Sequence, residues 1–275
     1  MNFGFIFVNF NNTKFTREAI QSLIGENKEL DYPVIIVDNG SGEDSIHELK
    51  EIDKAYTSVN VLFNTVNVGY FKGLNLGIIL GKRTLPNIDY WVIGNNDLLF
   101  PKNFSRMLLE AKQVLDDYPV VSPNISTLDG EPQNPHIISS ISKPRELIYD
   151  IYHSSYAMSR VVYWLSFVTH FFTDRSDESQ FNVSQEIYQG YGACYILGPK
   201  FFENFTELWA PSFLMYEEFF LAKQLDDIGF KTYYESKIKV THQCKGATAA
   251  MPSKFMWECS RNSHGIYRHY VKLWS

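Results

Sequence analysis

The chain has 275 residues, of which 45% are hydrophobic and 20% are charged. This length and composition are typical of a globular protein with one large domain, or one domain with a smaller addition. The formal net charge of −6 argues against a nucleic-acid-binding protein, because such a protein would carry a basic stripe.

The cysteines and the N-terminal residues predict a cytoplasmic protein. Cys194, Cys244 and Cys259 form neither a Cys-x-x-Cys pair nor a disulfide framework, which favours a reducing compartment. The run Met1–Val8 lacks the basic region and the small-residue cleavage site of a signal peptide. No stretch reaches the roughly 18 uninterrupted apolar residues that a spanning helix needs.

Short apolar runs alternate with segments of helical spacing along the first 120 residues. The runs have the length of buried strands, and they are Phe3–Val8, Val34–Val37, Val59–Phe63 and Tyr90–Ile93. The helical segments are Thr13–Ile24, with Thr13 or Thr16 as its cap, Ser45–Ile52, a helix that follows a glycine turn within Asn64–Gly77 and continues towards Leu80, and Asn103–Leu115, before a strand at Val120–Val121. This alternation predicts an α/β fold with a doubly wound, mostly parallel sheet and right-handed crossovers.

Each of these strands ends in polar, turn-forming residues: Asn9 and Asn11, Asp38 and Asn39, Asn67 and Gly69, and Asn95 and Asp97. Polar groups gathered at the carboxyl edge of a parallel sheet indicate a nucleotide-like site. The site is neither a Walker loop nor a dinucleotide fingerprint, because the glycines at 69, 73 and 77 have the wrong spacing and follow the third strand.

The strand at Tyr90–Ile93 runs directly into Asn95, Asn96 and Asp97. Asp97 together with Asn95 could hold Mg²⁺ or Mn²⁺, since these cations prefer oxygen ligands and accept phosphate oxygens in the same shell. The alternative is an Asn-rich turn whose side chains cap their own backbone.

Four motifs follow one another at the strand ends: Val8-Asn-Phe-Asn11, Val37-Asp-Asn-Gly-Ser41, Asn67-Val-Gly-Tyr70 with Gly73, Asn75 and Gly77, and Asn95-x-Asp97. Together, and in this order, they resemble the motifs of family 2 glycosyltransferases, which are inverting enzymes of the GT-A fold. The nearest resemblance is to the rhamnosyltransferase-like branch, which adds sugars to bacterial surface polysaccharides.

The resemblance continues into the second half of the chain. Gly190–Leu197 is similar to the family's acceptor-side strand, and Phe213–Leu221 is similar to its Glu-Asp motif. His242 and the pair Arg261-Asn262 match later family positions. The resemblance implies one compact catalytic domain with a nucleotide-sugar-binding half, 1–125, and an acceptor-binding half, 126–275.

The same resemblance implies the substrates and the cofactor. The donor would be a UDP- or dTDP-sugar, with dTDP-rhamnose favoured, and the acceptor a saccharide or a lipid-linked saccharide. Mg²⁺ or Mn²⁺ would bind at Asp97 and His242, although a hydrogen-bonded loop histidine is the alternative for His242. The implied nucleotide-binding residues are Asn9, Asn11, Asp38, Asn67, Gly69, Gly73 and Asn95.

Two of these assignments have ordinary structural alternatives. Asp38 could accept the N3–H of uracil or thymine, or it could form an Asx turn. Gly69 and Gly73 could let the backbone approach the nucleotide, or they could be turn and helix-packing glycines.

The acceptor hydroxyl requires a base, and the resemblance implies Glu218, with Glu217 beside it. The alternative is a pair of acids that complement the dipole of a helix beginning at Glu217. This chain departs from the wider family in having Asn95 at the first metal-motif position and Glu218 where the family has Asp.

Two other functions remain open from the sequence. A nucleotidyltransferase could share the sheet and the metal site, but it would need a basic glycine-rich loop after the first strand, where this chain has Asn9-Phe-Asn-Asn12. A non-catalytic sugar-binding module would not need both Glu218 and Asp97.

The segment 144–172 predicts a helical insertion rich in apolar and aromatic residues. Asp150, His153, Arg160 and His170 interrupt it, so it should not span a bilayer. It could pack on the catalytic domain or on a second subunit, or it could rest on the cytoplasmic face of the membrane.

Overall fold

The computed structural model describes residues 2–24, 32–169, 179–243 and 253–273, with the backbone alone for 166–169. The strands in these ranges are β1 Phe3–Asn9, β2 Val34–Asn39, β3 Val59–Asn64, β4 Tyr90–Asn95, β5 Leu98–Leu99, β6 Val120–Thr127, β7 Gln185–Ile187, β8 Cys194–Leu197 and β9 Thr232–His242. The helices are α1 Thr13–Ser22, α2 Glu43–Ala55, α3 Tyr70–Thr84, α4 Phe104–Glu110, α5 Lys112–Asp117, α6 Lys143–Ser154, α7 Tyr156–Thr169, α8 Pro199–Asn204, α9 Glu217–Asp226 and α10 Lys254–Tyr270.

All strands of the described ranges belong to one sheet with the order β3-β2-β1-β4-β8-β6-β9-β5, and β7 pairs with β9. β1 pairs in parallel with β2 and β4, β2 pairs in parallel with β3, and β6 pairs in parallel with β9. β8 runs antiparallel to β4 and β6, and the short strands β5 and β7 run antiparallel to β9. The predicted α/β fold with a large, mostly parallel sheet and flanking helices is confirmed.

Side chains of β1 alternate between two hydrophobic cores, one on each face of the sheet. Phe5 packs in the core that contains Ile20 of α1, whereas the next residue, Ile6, packs in the core that contains Ile78 of α3. Because helices cover both faces, β1 is apolar at successive positions rather than at every second one. Its first polar position is therefore its carboxyl end, where Asn9 stands.

Helices α6 and α7 occupy most of the predicted helical insertion, and residues 170–172 of that prediction lie outside the described ranges. α6 packs against the C-terminal helix α10. Trp257 Nε1 donates to the backbone carbonyl of Tyr152 over 3.1 Å, and Arg268 contacts Glu146 at 2.9 Å and Asp150 at 2.7 Å. The predicted insertion is thereby attached to α10.

Two local predictions are wrong. The predicted helix Asn103–Leu115 is two helices, because Ala111 has a ψ of 7° that interrupts the helical hydrogen-bond pattern. The predicted cap of α1 is not at Thr13 or Thr16, since the residue before the first turn is Asn12. Thr16 lies inside α1 and donates its hydroxyl to Asn9 Oδ1 over 3.0 Å.

Candidate active site

The strand register brings the predicted polar residues together at one edge of the sheet. Asn9 lies beside Asp38 on the neighbouring strand, and Val8 lies beside Asn95 on the other side. The loops after β1, β2 and β4 therefore begin next to one another, as the parallel arrangement predicts.

Asn9 is completely buried and organises these three loops. Its Nδ2 donates to Asp38 at 3.1 Å and lies 3.1 Å from the Ser45 hydroxyl, and its Oδ1 accepts from Asn96 at 3.1 Å. Since both ends of the carboxamide are engaged within the protein, this geometry favours a positioning role for Asn9 over the direct nucleotide contact that the sequence predicts.

Asp38 forms the turn that was the structural alternative for it. Its Oδ2 accepts from the Ser41 backbone N–H over 3.2 Å, which is the turn alternative, and its side chain is buried within the strand end. Asn11 is exposed, has a φ of 54° and accepts from the Gly42 N–H over 2.7 Å. Asn11, in the loop after β1, thus holds the loop after β2 in place through this hydrogen bond.

Asn39 holds the loop that carries the next predicted residues. Its Nδ2 donates to Asn67 Oδ1 and to the Gly69 carbonyl, each over 3.0 Å. Gly69 has a φ of +94°, and a Cβ there would lie 2.0 Å from the Phe213 carbonyl oxygen. Only glycine allows this approach, and it joins the donor-side loop to the segment before α9.

Gly73 lies where α3 packs on the sheet. A Cβ at this position would lie 3.2 Å from Val8 and 3.3 Å from Asn39 Nδ2, and a Cβ at Gly77 would lie 2.3 Å from Ile6. This placement favours the helix-packing alternative for Gly73 over contact with a nucleotide.

Asp97 and His242 meet at the same edge. β5 pairs with the end of β9 so that Leu98 lies opposite His242, and His242 Nε2 is 3.1 Å from Asp97 Oδ1. Both side chains are buried, at 7% and 4% exposure. Residues almost 150 positions apart in the chain are thus brought to one point by the antiparallel pairing of β5 with β9.

A residue that the sequence analysis did not single out, Gln133, orients the His242 ring. His242 Nδ1 lies 2.8 Å from the buried Gln133 Oε1. A carboxamide oxygen accepts hydrogen bonds, so Gln133 can hold the Nδ1–H of His242 while Nε2 is directed at Asp97. A metal-ligating histidine is typically held in this way, with its other nitrogen bound to a partner outside the metal shell.

The residues of this edge fit a divalent cation. Two neighbouring ligands at about 2.1 Å from one octahedral cation lie roughly 3 Å apart, close to the Asp97–His242 separation. In the described part of the chain, no group of three or more His, Cys, Asp or Glu residues gathers around a common point. The remaining ligands would therefore come from the substrate, water or carboxamide oxygens.

Asn95 and Asn96 differ in their surroundings. Asn95 Nδ2 lies 3.4 Å from His242 Nε2, at the rim of the Asp97–His242 pair. Asn96 is buried and donates to the Thr16 hydroxyl and the Asn12 carbonyl over 2.8 and 3.0 Å. Asn96 therefore fixes the turn, which leaves Asn95 and Asp97 on the side of the metal-binding position.

Glu217 and Glu218 begin helix α9, as predicted. Glu218 is half-buried, and its Oε1 accepts from the Gly192 backbone N–H over 3.1 Å. A Cβ at Gly192 would lie 2.6 Å from that oxygen, so the carboxylate occupies the space that a side chain would fill.

Glu217 is buried and is less suited to proton transfer with a ligand. Burial, and then repulsion from the Glu218 carboxylate, raise its pKa well above the usual range of a carboxyl group. Glu218 instead lines a cavity of about 180 Å³ together with Tyr149 and Tyr216.

Tyr70 connects the two parts of the site. Its hydroxyl donates to the Gly192 carbonyl over 2.9 Å. Burial raises the pKa of Tyr70, and neighbouring acidic groups, Asp97 and Glu218 among them, raise it further. Gly192 is thus held by Tyr70 at its carbonyl and by Glu218 at its N–H.

Residues of α10 form hydrogen bonds with the turn before α9 and hold it in place. Met215 and Tyr216 both have positive φ angles, 73° and 68°, which non-glycine residues rarely adopt. Ser263 donates to the Leu214 carbonyl over 2.5 Å, and the Tyr216 hydroxyl lies 2.8 Å from His264 Nδ1. The sequence pattern contained no signal for this support.

The comparison with protein families decides the classification. The family model "Glycosyl transferase family 2" matches residues 5–168, more than half of the chain. This chain belongs to Glycosyl transferase family 2. The expectation of a glycosyltransferase is thereby confirmed, while the matched range ends before β7–β9, α8–α10 and the residues Glu217, Glu218 and His242.

Solved structures show the same fold at low sequence identity. The chain superposes on GalNAc-T7, crystallised with UDP, GalNAc and Mn²⁺, with a TM-score of 0.56 and 12% identity over 90% of this chain and 44% of that one. It superposes on S. aureus TarS with a TM-score of 0.52 and 12% identity over 90% of this chain and 38% of that one. The chain spans less than half the length of either structure.

No curated protein sequence matches the chain. The helices in the described ranges are all too short or too polar to cross a membrane. Cys194 and Cys259 are free, buried thiols, and Cys244 lies outside the described ranges.

Proposed function

We propose that this family 2 protein transfers a sugar from a nucleotide-diphosphate donor to a saccharide or lipid-linked saccharide, with inversion at the anomeric carbon. The observation that carries the proposal is the backbone at Gly192 and Ala193: the Gly192 N–H donates to Glu218 over 3.1 Å, and the Ala193 carbonyl accepts from the Asn95 N–H over 3.0 Å, two residues before Asp97. Asp97, with His242 3.1 Å away, provides a site for a cation and a diphosphate, and Glu218 provides a base. A donor and an acceptor bound at these two residues would meet between them.

The donor is proposed to bind over the ends of β1, β2 and β4. Asp38, Asn11 and the Asn67–Gly69 loop border this edge, while Asn9 and Asn39 hold it in shape. The UDP and Mn²⁺ bound to GalNAc-T7, which has the same fold, support a uridine or thymidine diphosphate sugar and a divalent cation here. The earlier motif resemblance favours dTDP-rhamnose.

Asp97 and His242 are proposed to hold Mg²⁺ or Mn²⁺, with Asn95 at the rim. When bound, the cation neutralises charge on the leaving diphosphate. The Gln133 side chain orients the His242 ring so that Nε2 is directed at Asp97. Asn95 contributes no charge, so Asp97 provides the carboxylate of the Asp97–His242 pair.

Glu218 is proposed as the base for the acceptor hydroxyl. It is half-buried and lines a cavity, so an acceptor can reach it, whereas Glu217 is buried. The Gly192 N–H donates to Glu218 Oε1 and thereby orients the carboxylate at the cavity that it lines, where it would accept the proton of the attacking hydroxyl. Direct attack by this hydroxyl inverts the anomeric carbon without a covalent enzyme intermediate.

The acceptor is proposed to belong to surface polysaccharide synthesis on the cytoplasmic side of the membrane, with the acceptor-binding half at 126–275. Helices α6 and α7 expose Leu147, Val161 and Trp164, at 48%, 47% and 64%. Such a surface suits contact with the membrane face or with a second subunit. Flotation with liposomes, combined with measurement of the solution mass, distinguishes the two.

Product analysis tests the reaction class. We expect release of UDP or dTDP from a nucleotide sugar in the presence of Mn²⁺, slowly with water and faster with an acceptor. Formation of pyrophosphate from a nucleoside triphosphate and a sugar phosphate would identify a nucleotidyltransferase instead. Binding of nucleotide sugars without any turnover would identify a sugar-binding module.

A further inference from the structure

Two adjoining cavities lie on the acceptor side of Glu218. The proximal cavity, about 180 Å³, is lined by Glu218 and Gln189, and the distal cavity, about 280 Å³, is lined by Arg145 and Tyr152. Tyr149, Tyr216 and Ser260 line both cavities. Together the two volumes fall within the roughly 300–1,000 Å³ of small-molecule sites.

The proximal cavity contains a buried donor that a ligand could satisfy. Gln189 is 4% exposed, and its side chain is hydrogen-bonded to Tyr188, which opposes the rise in the pKa of Tyr188 that burial causes. Gln189 Nε2 makes no hydrogen bond of standard geometry with the other described residues, and an amide nitrogen has two N–H groups, so one remains for an acceptor atom of a ligand. A sugar hydroxyl beside Glu218 would provide one.

The wall between the cavities is rigid and largely apolar towards a ligand. Ser260 Oγ lies 2.9 Å from His153 Nε2, and the Tyr216 hydroxyl lies 2.8 Å from His264 Nδ1. With these polar atoms engaged, Tyr216 offers a ligand mainly its ring. Tyr216 directly precedes α9, and Glu218 lies in the first turn of that helix. The position of the Tyr216 wall is therefore fixed relative to Glu218, the proposed base.

The distal cavity combines aromatic rings with a cation. Tyr149, Tyr152 and His153 line it, and His153 directs Nδ1 at the Tyr149 carbonyl over 2.7 Å. The Arg145 guanidinium lies 5.9 Å from the centre of the Tyr149 ring, and no carboxylate in the described ranges forms an ion pair with it. Arg145 can therefore offer its N–H donors to a ligand.

We infer that the proximal and distal cavities bind two consecutive sugar rings of the acceptor, so that the chain recognises at least a disaccharide. A pyranose has an apolar C–H face, which can pack on the tyrosine rings. The hydroxyl groups at its edge can form hydrogen bonds with Gln189 and Arg145. The ring beside Glu218 is glycosylated, and the ring in the distal cavity selects the acceptor. This inference rests on the proposed transferase function.

An alkyl chain is the competing occupant of the distal cavity. The Arg145 guanidinium favours a sugar, because a lipid would leave its N–H donors in this wall without hydrogen bonds. The two occupants differ in which extension of a monosaccharide improves binding: a second ring or a hydrocarbon tail.

The test compares three sets of probes in the presence of UDP and Mn²⁺. The sets are methyl glycosides of glucose, galactose, rhamnose and N-acetylglucosamine, the methyl glycosides of their 1→3 and 1→4 disaccharides, and the octyl glycosides of the four monosaccharides. Affinity is measured by ligand-observed NMR titration. At least one disaccharide should bind 10-fold or more tightly than its parent monosaccharide.

Tyr152→Ala shortens a side chain that lines only the distal cavity, and it should reduce this disaccharide preference to less than about 2-fold. Tyr163→Ala, on the same helical insertion but lining neither cavity, is the matched control and should keep the preference. Thermal melting confirms that both variants are folded.

Three results would overturn the inference: no probe disaccharide with a 10-fold preference, an octyl glycoside that binds as tightly as the best disaccharide, or a Tyr152→Ala variant that retains the preference. Hydrolysis of UDP- and dTDP-sugars by the unaltered chain is measured in the same preparations. Absence of hydrolysis counts against the proposed function, whereas hydrolysis without a disaccharide preference contradicts this inference alone.

Discussion

Glu217 and Glu218 are neighbours in the sequence, but the first turn of α9 gives them different environments. Glu217 points into the protein, and burial raises the pKa of its carboxyl group. Glu218 accepts a hydrogen bond from the Gly192 N–H and borders the acceptor-side cavity. A general base must reach its substrate, so position decides between two residues of identical chemistry.

Glu218→Gln should therefore lower kcat at least ~10²-fold and leave the affinity for the donor nearly unchanged. The glutamine Oε1 can still accept from Gly192, so the local structure is retained while proton acceptance is lost. Initial rates of nucleoside diphosphate release and a donor titration measure the two quantities.

Glu217→Gln is the companion variant, because it preserves the neutral form that burial favours. We expect its kcat to fall by less than ~10-fold. If Glu217→Gln shows the large loss and Glu218→Gln the small one, the two roles are exchanged.

At the scale of elements, the strands near the site were predictable and their cross-connections were not. The apolar runs of β1, β2 and β4 are continuous, because helices cover both faces, and each run ends at its first polar residue. This pattern is local, so the sequence alone predicts Asp38, Asn95 and Asp97 at one edge.

The rest of the site depends on contacts between distant segments. Gln133 reaches His242 because β6 and β9 pair in parallel, and Gly192, just before β8, meets Glu218 in the first turn of α9. Neither residue has a local pattern that marks it. The same limit explains Gly73, where spacing alone could not distinguish a ligand contact from packing against Val8 and Asn39.

The loop between β3 and α3 gives a prediction about stability. Gly69→Ala places a Cβ 2.0 Å from the Phe213 carbonyl oxygen at a φ of +94°, so both the backbone strain and the clash oppose folding. We expect a loss of about 2–4 kcal/mol in the free energy of unfolding, measured in urea.

Gly130→Ala is the matched control, since Gly130 has a φ of +84° but no atom within 4 Å of an added Cβ. It should cost only about 1 kcal/mol, from backbone strain alone. Equal losses in the two variants would show that the approach of Phe213 to Gly69 does not matter.

The interface of α6 with α10 gives a prediction about pH. Burial, followed by the neighbouring His264, lowers the pKa of His153 to about 4. His153 in the unfolded chain would have a pKa near 6.5, so protonation favours unfolding. Its contribution to stability is complete above about pH 6.5 and is lost as the pH falls towards 4.

His153→Gln removes this titration. Between pH 7 and pH 4.5 the unaltered chain should lose about 2 kcal/mol more unfolding free energy than the variant, while carboxylate effects are common to both. His47→Gln, at an exposed position on α2, is the control and should follow the unaltered chain. A His153→Gln variant with the same pH dependence as the unaltered chain would contradict the assignment.

At the scale of the whole molecule, the proposed donor site joins segments from both halves of the chain. Asp97 follows β4, His242 ends β9, and Gln133 lies between β6 and α6. Because these segments come together only in the folded chain, a nucleotide and a cation bound there stabilise the folded state specifically.

UDP or dTDP should therefore raise the melting temperature more in the presence of Mn²⁺ or Mg²⁺ than in its absence. At a ligand concentration 100 times the dissociation constant, the stabilisation is about 2.7 kcal/mol.

Asp97→Ala should abolish the part of the shift that depends on the cation, since it removes the only carboxylate of the Asp97–His242 pair. Asp53→Ala, on α2 away from this edge, should retain the full shift. A cation-dependent shift that persists in Asp97→Ala would place the cation elsewhere, and a nucleotide shift that never depends on a cation would show that the diphosphate is bound without one.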